Sequence, residues 1–584
     1  MNKLPLILVA AVVQGWALYG LHHSLEQHHW PATSPAWTFA LYAVALFVPA
    51  TLELLGEYAR AAALWIVVAL IGVLYFYFGW HFGAHVAGDA FNKQLNLGYP
   101  ELALVLSVLW LHSLPFLQCR LLTGSWTPQY PVLFASAWRN ALVLAEAGVF
   151  TGIFWLLLTL WQTLFHMLGI DFFRELFEKP LFFYPVTSLA FGCAVHLIGS
   201  VEKMTSTVLE QILSLLKWLA VIAGLILAFF TLALLFNLPN LVFTGHKAIG
   251  AALLLWLVAV MVLFLNAAYR DGTVAQAYPS WIAQPLRFVV PLLIIIAATA
   301  LYALFVRTRN FGLSVDRVWA FVVAGGAMLY AVGYTAAAFR GGAWLGGIAR
   351  VNIGIALALI AVIVLALTPL LSPYRLAADS QFHRVQRLGL AGSQAAGFRS
   401  ESPLHYLRFS TGHYGVERLE QLAQGAAQVD TANVRGAATS MLATQSPWED
   451  AAIPTDTAAR LTKVNIYPPA RQLDEPLRAA LLADLAKPER RIIATRLSEA
   501  TGLFVDLNGD RTDEFLLVFT FQALAYEKHD GGWVFAGILS PLQLQPRAHL
   551  EKSLTEDIAQ GRVTVSQPRW SDLVIGTRKY RLAP

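Results

Sequence analysis

Eleven separate runs of mostly apolar residues, 19 to 29 long, occupy the first 372 residues of this chain. A helix rises about 1.5 Å per residue, so about 20 residues span the roughly 30 Å hydrocarbon core of a bilayer. The runs fall near 4–22, 36–56, 62–84, 101–119, 139–167, 182–200, 208–236, 247–268, 285–306, 316–338 and 348–371. Charged residues make up 13% of the chain, about half the usual share of a soluble domain. The expected fold is an α-helical polytopic membrane protein of about 11 transmembrane helices, with the lipid bilayer as its surroundings.

After "LALTPLLSPYR" the chain turns polar, which divides the sequence into a membrane part, 1–372, and a C-terminal soluble α+β domain, 373–584. The first half of that domain reads as helix, with Leu407, Leu419 and Leu422 among charged neighbours. The second half reads as strands. "GLFVDL" and "EFLLVFTF" flank a polar loop, and "ALAYEKHDGGWVFAGIL" has the pattern of a hairpin. Two stretches between apolar runs read as interfacial: "FFRELFEKP", charged on one helical face, and "WTPQYPVLFASAW", with boundary Trp and Tyr.

The first apolar run lacks a small-x-small cleavage site, so it reads as an uncleaved helix. With the N-terminus inside, Lys3, Arg60, Arg120, Arg139, Lys203, Arg270, Arg287, Arg340 and Arg350 face the cytoplasm. Lys93, Arg174, Lys179, Lys247, Arg307, Arg309 and Arg317 face outward. The bias follows the positive-inside rule, and an odd helix count then puts the C-terminal domain outside. The net charge of +5 is too diluted over 584 residues to suggest a nucleic-acid partner. The two cysteines, Cys119 and Cys193, lie in or beside apolar runs and exclude a disulfide-built domain.

Four phrases carry a family resemblance: "AWRNALVLAEAGVFTGIFWLLLTLWQTLFHMLGIDFFRELF", "RTRNFGLSVDRVWAF", "LTPLLSPYRLAADSQFHRV" and "PLHYLRFSTGHYGVERLEQLA". From Ala137 to Leu422 the chain resembles the bacterial multi-pass membrane proteins of domain of unknown function 4153. The resemblance implies a bacterial inner (cytoplasmic) membrane protein with a C-terminal extramembrane region, which the helix count above puts on the periplasmic side. It implies no activity and no catalytic residues.

Three groups of residues are candidates for chemistry. In "FVDLNGDRTDEF", Asp506, Asn508 and Asp510 alternate around Gly509, with Glu514 beyond. Oxygens so spaced can converge on calcium, or the side chains can hydrogen-bond their own backbone in a tight turn; both readings stand. An EF-hand is excluded, because Arg511 and Leu517 occupy its Gly and Glu positions. The second group is histidine-rich: "LHHSLEQHHW" with His22, and "GWHFGAHVAGD" with His81, His85 and Asp89 on one helical face. On the predicted topology both emerge on one side and are candidate metal ligands, against the plainer reading of interfacial histidines. The third group comprises ionisable residues within spans: Glu53, Glu57, His112, Glu146, His166, His196 and Lys217. Such groups are costly in hydrocarbon and usually face a bundle interior or a polar path. His112 and Glu146 lie deepest. The Gly-rich "VAGGAMLYAVG" reads as close helix packing.

An anchor needs one span, so eleven imply that the bundle acts. Transport of a solute or a lipid-linked molecule is the leading expectation. The alternatives are an envelope signalling or assembly scaffold, whose outer domain binds a protein partner, and an enzyme on a lipid-linked substrate at the outer interface. No Gly-x-Ser-x-Gly, His-Glu-x-x-His or Walker pattern supports an enzyme.

Overall fold

A computed structural model describes residues 4–87, 98–200, 202–244, 250–272, 277–340, 345–393 and 402–444 of the first part of the chain. Beyond these it describes 457–487, 500–519, 522–529, 532–539, 573–575 and 578–580, with isolated positions 490, 493, 497, 558, 560 and 563. The chain divides into two compact units, Met1–Ala443 and Thr444–Pro584.

Among its described residues, the first unit holds 11 helices long and apolar enough to cross a membrane. They are α1 (Leu4–Glu26), α2 (Pro35–Leu55), α3 (Ala62–His85), α4 (Gly98–Thr123), α5 (Tyr130–Met167), α7 (Pro180–Gly199), α8 (Glu202–Thr244), α9 (Ala251–Tyr269), α11 (Leu292–Phe311), α12 (Val315–Phe339) and α13 (Ile348–Ala366). Short α6 (Phe172–Glu178) precedes α7, and α10 (Ser280–Val289) leads into α11. The stretch "WTPQYPVLFASAW" differs from expectation, because most of it is the start of α5. At 38 residues, or about 57 Å, that helix is longer than a bilayer core is thick.

Lipid supplies no hydrophobic drive between helices, so they associate through close packing and interhelical hydrogen bonds. In "GWHFG" of α3, a Cβ on Gly79 would sit 2.4 Å from the Phe39 carbonyl, and one on Gly83 would sit 2.3 Å from that of Pro35. The two glycines therefore let the backbones of α2 and α3 touch. Polar pairs tie further helices: Trp110 Nε1 of α4 donates to Thr51 Oγ1 of α2 at 2.9 Å. Gln118 and Asn140 exchange amide hydrogen bonds of 3.0 and 2.9 Å between α4 and α5. Two large cores result. One is built around Phe47, Tyr75, Leu106 and Trp110 of α2–α4. The other is built around Val258, Met261, Ile296 and Tyr334 of α9, α11 and α12.

Hydropathy falls at residue 373, yet the compact unit runs on to Ala443. Helices α14 (Pro373–Ser393), α15 (Pro403–Phe409), α16 (Gly412–Ala423) and α17 (Thr431–Ala443) form a cap with its own core of Phe382, Val385, Leu407, Leu419 and Val434. The cap is fastened to the bundle. Tyr374 and Ala377 belong to the core of α2–α4. Gln381 donates to the carbonyls of Phe311 and Leu313, at 3.1 and 2.8 Å. The Tyr406 hydroxyl accepts from the Val315 amide at 2.8 Å. Gly412, at φ +58°, lies so close to the end of α3 that a Cβ would meet the Val86 carbonyl at 2.3 Å. Polar outer faces give these helices a soluble character in sequence, whereas their inner faces dock on the membrane helices.

The second unit is α+β. Helix α18 (Thr457–Leu461) and strand β1 (Asn465–Tyr467) precede α19 (Glu475–Leu485). Strands β2 (Thr501–Val505), β3 (Glu514–Val518), β4 (Ala523–His529) and β5 (Gly532–Leu539) follow in sheet order β1-β2-β3-β4-β5. β1 runs parallel to β2, and the remaining neighbours are antiparallel. Leu477, Leu481 and Leu485 of α19 share a core with Phe515, Leu517, Leu524 and Tyr526 of the sheet. A separate pair, β6 (Leu573–Ile575) and β7 (Arg578–Tyr580), is antiparallel.

Candidate functional site

A cavity of about 620 Å³ lies between α4, α9, α12 and α13, where the two bundle cores meet. Its walls are small or aliphatic along the middle, among them Val108, Val258, Ala259, Val262, Gly326 and Ala327. Val323, Gly326, Ala327 and Tyr330 are where "VAGGAMLYAVG" reaches the cavity. The packing expected of that stretch falls on Gly333, where a Cβ would meet Val351 of α13 at 2.4 Å. Leu104, Leu263 and Val323 also line the cavity and are 65%, 43% and 56% exposed. They lie on membrane-spanning helices, so the cavity opens sideways on the outer surface of the bundle.

Polar groups stand at its two ends. On α4 they are Glu101 and His112, on α9 Asn266, and on α12 Trp319 and Tyr330. Glu101 lies eleven residues before His112, and Trp319 eleven before Tyr330. At about 1.5 Å per residue, each pair sets a length of about 16 Å. The cavity is thus a slot reaching across about half the hydrocarbon core.

At one end, beneath the cap, Glu101 Oε1 accepts from Trp319 Nε1 at 3.1 Å and Oε2 accepts from the Tyr374 hydroxyl at 2.5 Å. Burial first, and then the Glu101 carboxylate, hold the Tyr374 phenol above its usual range. It stays a proton donor. Tyr406, one of the cap's attachments, is pushed up to about 12 by burial. Glu101 also lines a void of about 20 Å³ with His81, Ser372 and Tyr374, which reaches the underside of the cap.

At the other end, four helices meet in a ring of hydrogen bonds. Asn352 Nδ2 of α13 donates to Tyr130 OH of α5 at 2.9 Å and to Asn266 Oδ1 of α9 at 2.6 Å. Asn266 Nδ2 donates to the Tyr334 hydroxyl of α12 at 2.6 Å. Tyr334 completes the ring by donating to Asn352 Oδ1 at 2.8 Å. His112 Nδ1 bonds the Val108 carbonyl at 2.8 Å. A carbonyl only accepts, so Nδ1 carries the proton and a neutral ring presents Nε2 as an acceptor. The slot can hold an apolar chain along its walls and a polar group at either end.

Of the residues singled out in the sequence, His112 lies on this slot. Glu146 is half-buried on α5 and is not among the slot's lining residues. His81 is buried and bonds Tyr414 OH of the cap at 3.0 Å, while His85 stacks on the same ring. His22 instead pairs with Glu26 at 3.2 Å and packs on Tyr184 of α7. The two histidine groups therefore have different partners, and Asp89 lies outside the described residues. Among the described residues, no three His, Cys, Asp or Glu are grouped to hold a metal ion.

In the second unit, the candidate calcium residues close their own loop. Asp506 accepts from the amides of Gly509 and Arg511, at 2.7 and 2.9 Å. Asn508 accepts from Asp510 N at 2.8 Å and donates to Asp510 Oδ2 at 2.9 Å. Asp510 accepts from Thr512 N at 2.7 Å, and Glu514 from Leu507 N at 2.6 Å. Hydrogen bonds from Asn508 and the Thr512 amide hold Asp510 below the usual carboxylate range.

Asn266, Asn352, Tyr130 and Tyr334 were not legible as site residues in a search for charge. The signal was present as neutral amides inside apolar runs, in "FLNAAY" and "RVNIGI". Glu101 stood at the edge of a run, where a carboxylate needs no explanation. Comparison of the chain with protein-family models, curated proteins and solved structures gives no match.

Proposed function

We propose that the bundle carries a lipid-linked or otherwise amphipathic molecule, taking its apolar chain from the bilayer into the slot between α4, α9, α12 and α13. The observation that carries this reading is a 620 Å³ cavity with aliphatic walls and lipid-exposed residues at its margin. Cavities of this size are typical of small-molecule sites, with apolar walls and a few placed polar groups. The polar ends suit a headgroup: Glu101 and Trp319 beneath the cap, His112 and Asn266 opposite. Neither end resembles a phosphate cradle or a nucleophile–base pair, so binding and movement fit better than bond chemistry. The positive-inside bias and the odd number of spans support a cytoplasmic N-terminus and a periplasmic C-terminal unit. The resemblance to domain of unknown function 4153 supports the bacterial inner membrane as its place.

The test fills the slot. The full chain is reconstituted in nanodiscs of native lipid extract, and tightly held lipids are identified by mass spectrometry. Ala259→Trp and Gly326→Trp should each lower the bound lipid at least about tenfold, which is a loss of about 1.4 kcal/mol of binding. Equal retention in both folded variants would end the reading.

A further inference from the structure

A second polar pocket lies away from the slot, where α1, α2, α5 and α7 converge. Its lining includes Glu53, Glu57, Arg139, Asn140 and His196. Glu53 is 3% exposed, and neither of its carboxylate oxygens has a hydrogen-bond partner among the described residues. His196 Nδ1, in the same pocket, is also buried without one. Two residues with unpartnered buried polar atoms therefore line one void.

The neighbours that could have satisfied Glu53 are committed elsewhere. Arg139 pairs with Glu57 at 3.3 Å. Asn140 exchanges both amide bonds with Gln118. Gly192 of α7 lies against the carboxyl, and a Cβ there would come within 3.4 Å of Glu53 Oε1. A carboxylate kept for structure would take the guanidinium or the amide, because an uncompensated charge in apolar surroundings costs several kcal/mol. An ionisable side chain so placed within a membrane bundle is a functional group by default. The void measures about 20 Å³. One water needs about 10–15 Å³ and two or more polar partners, which Glu53 and His196 supply.

We propose that Glu53 and His196 form a proton-exchange site. A proton leaves the Glu53 carboxyl as its O–H bond breaks, passes through one water, and forms an N–H bond at His196 Nδ1; the reverse step reloads the carboxyl. The proton comes from water on the face where α1 begins, since Glu53 and His196 both lie near helix ends on that face in an alternating bundle. The titratable groups facing the site are Glu57 with its neighbour Tyr58, Arg139 of α5, and Cys193 and His196 of α7; α1 contributes only Ile7 to the lining. This inference does not rest on the lipid-carrying reading, and its test needs no lipid substrate.

The probe is dicyclohexylcarbodiimide, which modifies protonated carboxyls in apolar surroundings. It is applied to the full chain in nanodiscs across a pH series, and adducts are mapped by mass spectrometry. Glu53 should be modified at neutral pH, with labelling falling as pH rises, while the Arg139-paired Glu57 remains unmodified. His196→Ala, or His196→Gln where alanine disturbs folding, should move the midpoint of the Glu53 labelling curve by about one pH unit. Absence of a Glu53 adduct at neutral pH overturns the proposal, as does a midpoint unchanged in the folded His196 variants.

Discussion

Glu101 and Tyr374 stand 273 residues apart in sequence and are joined by a hydrogen bond of 2.5 Å, carboxylate to phenol. The bond ties the start of α4 to the first turn of the cap, and it closes one end of the lipid-facing slot. Its two partners cannot be varied independently. Tyr374→Phe should destabilise the detergent-purified chain by about 1.5–3 kcal/mol, the contribution of a hydrogen bond to a charged group, read as a lower melting temperature. A double-mutant cycle with Glu101→Gln should show a coupling of about 1 kcal/mol. Additive losses would mean that the contact holds nothing.

The ring at the slot's opposite end gives a second expectation. Asn352→Leu keeps much of the volume but removes the donor to Tyr130 and Asn266 and the acceptor for Tyr334. Interhelical hydrogen bonds in membranes contribute about 0.6 kcal/mol each, and at most about 1.7. Three lost together should cost about 2 kcal/mol, read as a lower melting temperature in detergent. Asn266→Leu added to Asn352→Leu should cost less than the sum of the two. A variant that melts like the parent would reduce the ring to four side chains that happen to touch.

In the second unit Asp484 gives a pH dependence with a definite sign. Burial alone would raise its carboxyl, but hydrogen bonds from Lys487 and Tyr526, and the Lys487 and Arg490 charges, hold it below the usual carboxylate range. The contacts are 2.8 Å to Lys487, 3.3 Å to Arg490 and 3.0 Å to Tyr526. A depressed folded value means that this stability is fully present above the unfolded value of about 3.9. It is lost as pH falls through the lower folded value. Asp484→Asn should cost about 3 kcal/mol near neutrality. The gap to the parent should shrink towards pH 3, measured as β3–β4 amide exchange compared at equal pH. A gap that stays constant with pH would show that the carboxylate charge is not what Asp484 contributes.

How much of this was legible depended on sequence distance. The spans were readable because each is a local apolar run, and the β2–β3 and β4–β5 hairpins because their strands are adjacent in the chain. The cap was not, since Tyr374, Gln381, Tyr406 and Gly412 bind bundle residues roughly 70 to 330 positions away. Their own neighbourhoods are polar and read as soluble. "GWHFG" shows a different loss: Gly79 and Gly83, four apart, announce backbone contact, but the histidine between them drew the functional reading. His81 proved to be a cap contact. His112 was found by its charge-bearing type, whereas Asn266 on the slot and Asn352, which bonds it, carry no charge. Glu53 and His196 were visible as ionisable residues, yet only the fold shows that their neighbours are already paired.

The loop from Asp506 to Glu514 allows the last test. Every one of its four oxygen-bearing candidates already accepts a hydrogen bond from the loop itself, at 2.6 to 2.9 Å. Gly509 and Arg511 take positive φ, 80° and 69°, to close the turn. For Arg511 that conformation is strained, and its amide bond to Asp506 offsets the strain. Asp506→Ala should therefore destabilise the β2–β3 hairpin with or without calcium. The loss should be about 1–2 kcal/mol for two backbone bonds released into solvent. The readout is hydrogen exchange of the β2 and β3 amides in the full chain, with millimolar calcium and again with chelator. The expected result is equal protection in both conditions and weaker protection in the variant. Ion binding at a hundredfold excess over Kd would instead add about 2.7 kcal/mol. A calcium-dependent gain of that size, absent from an Asp506→Ala, Asp510→Ala double variant, would make the loop a calcium site and the hydrogen bonds its resting form.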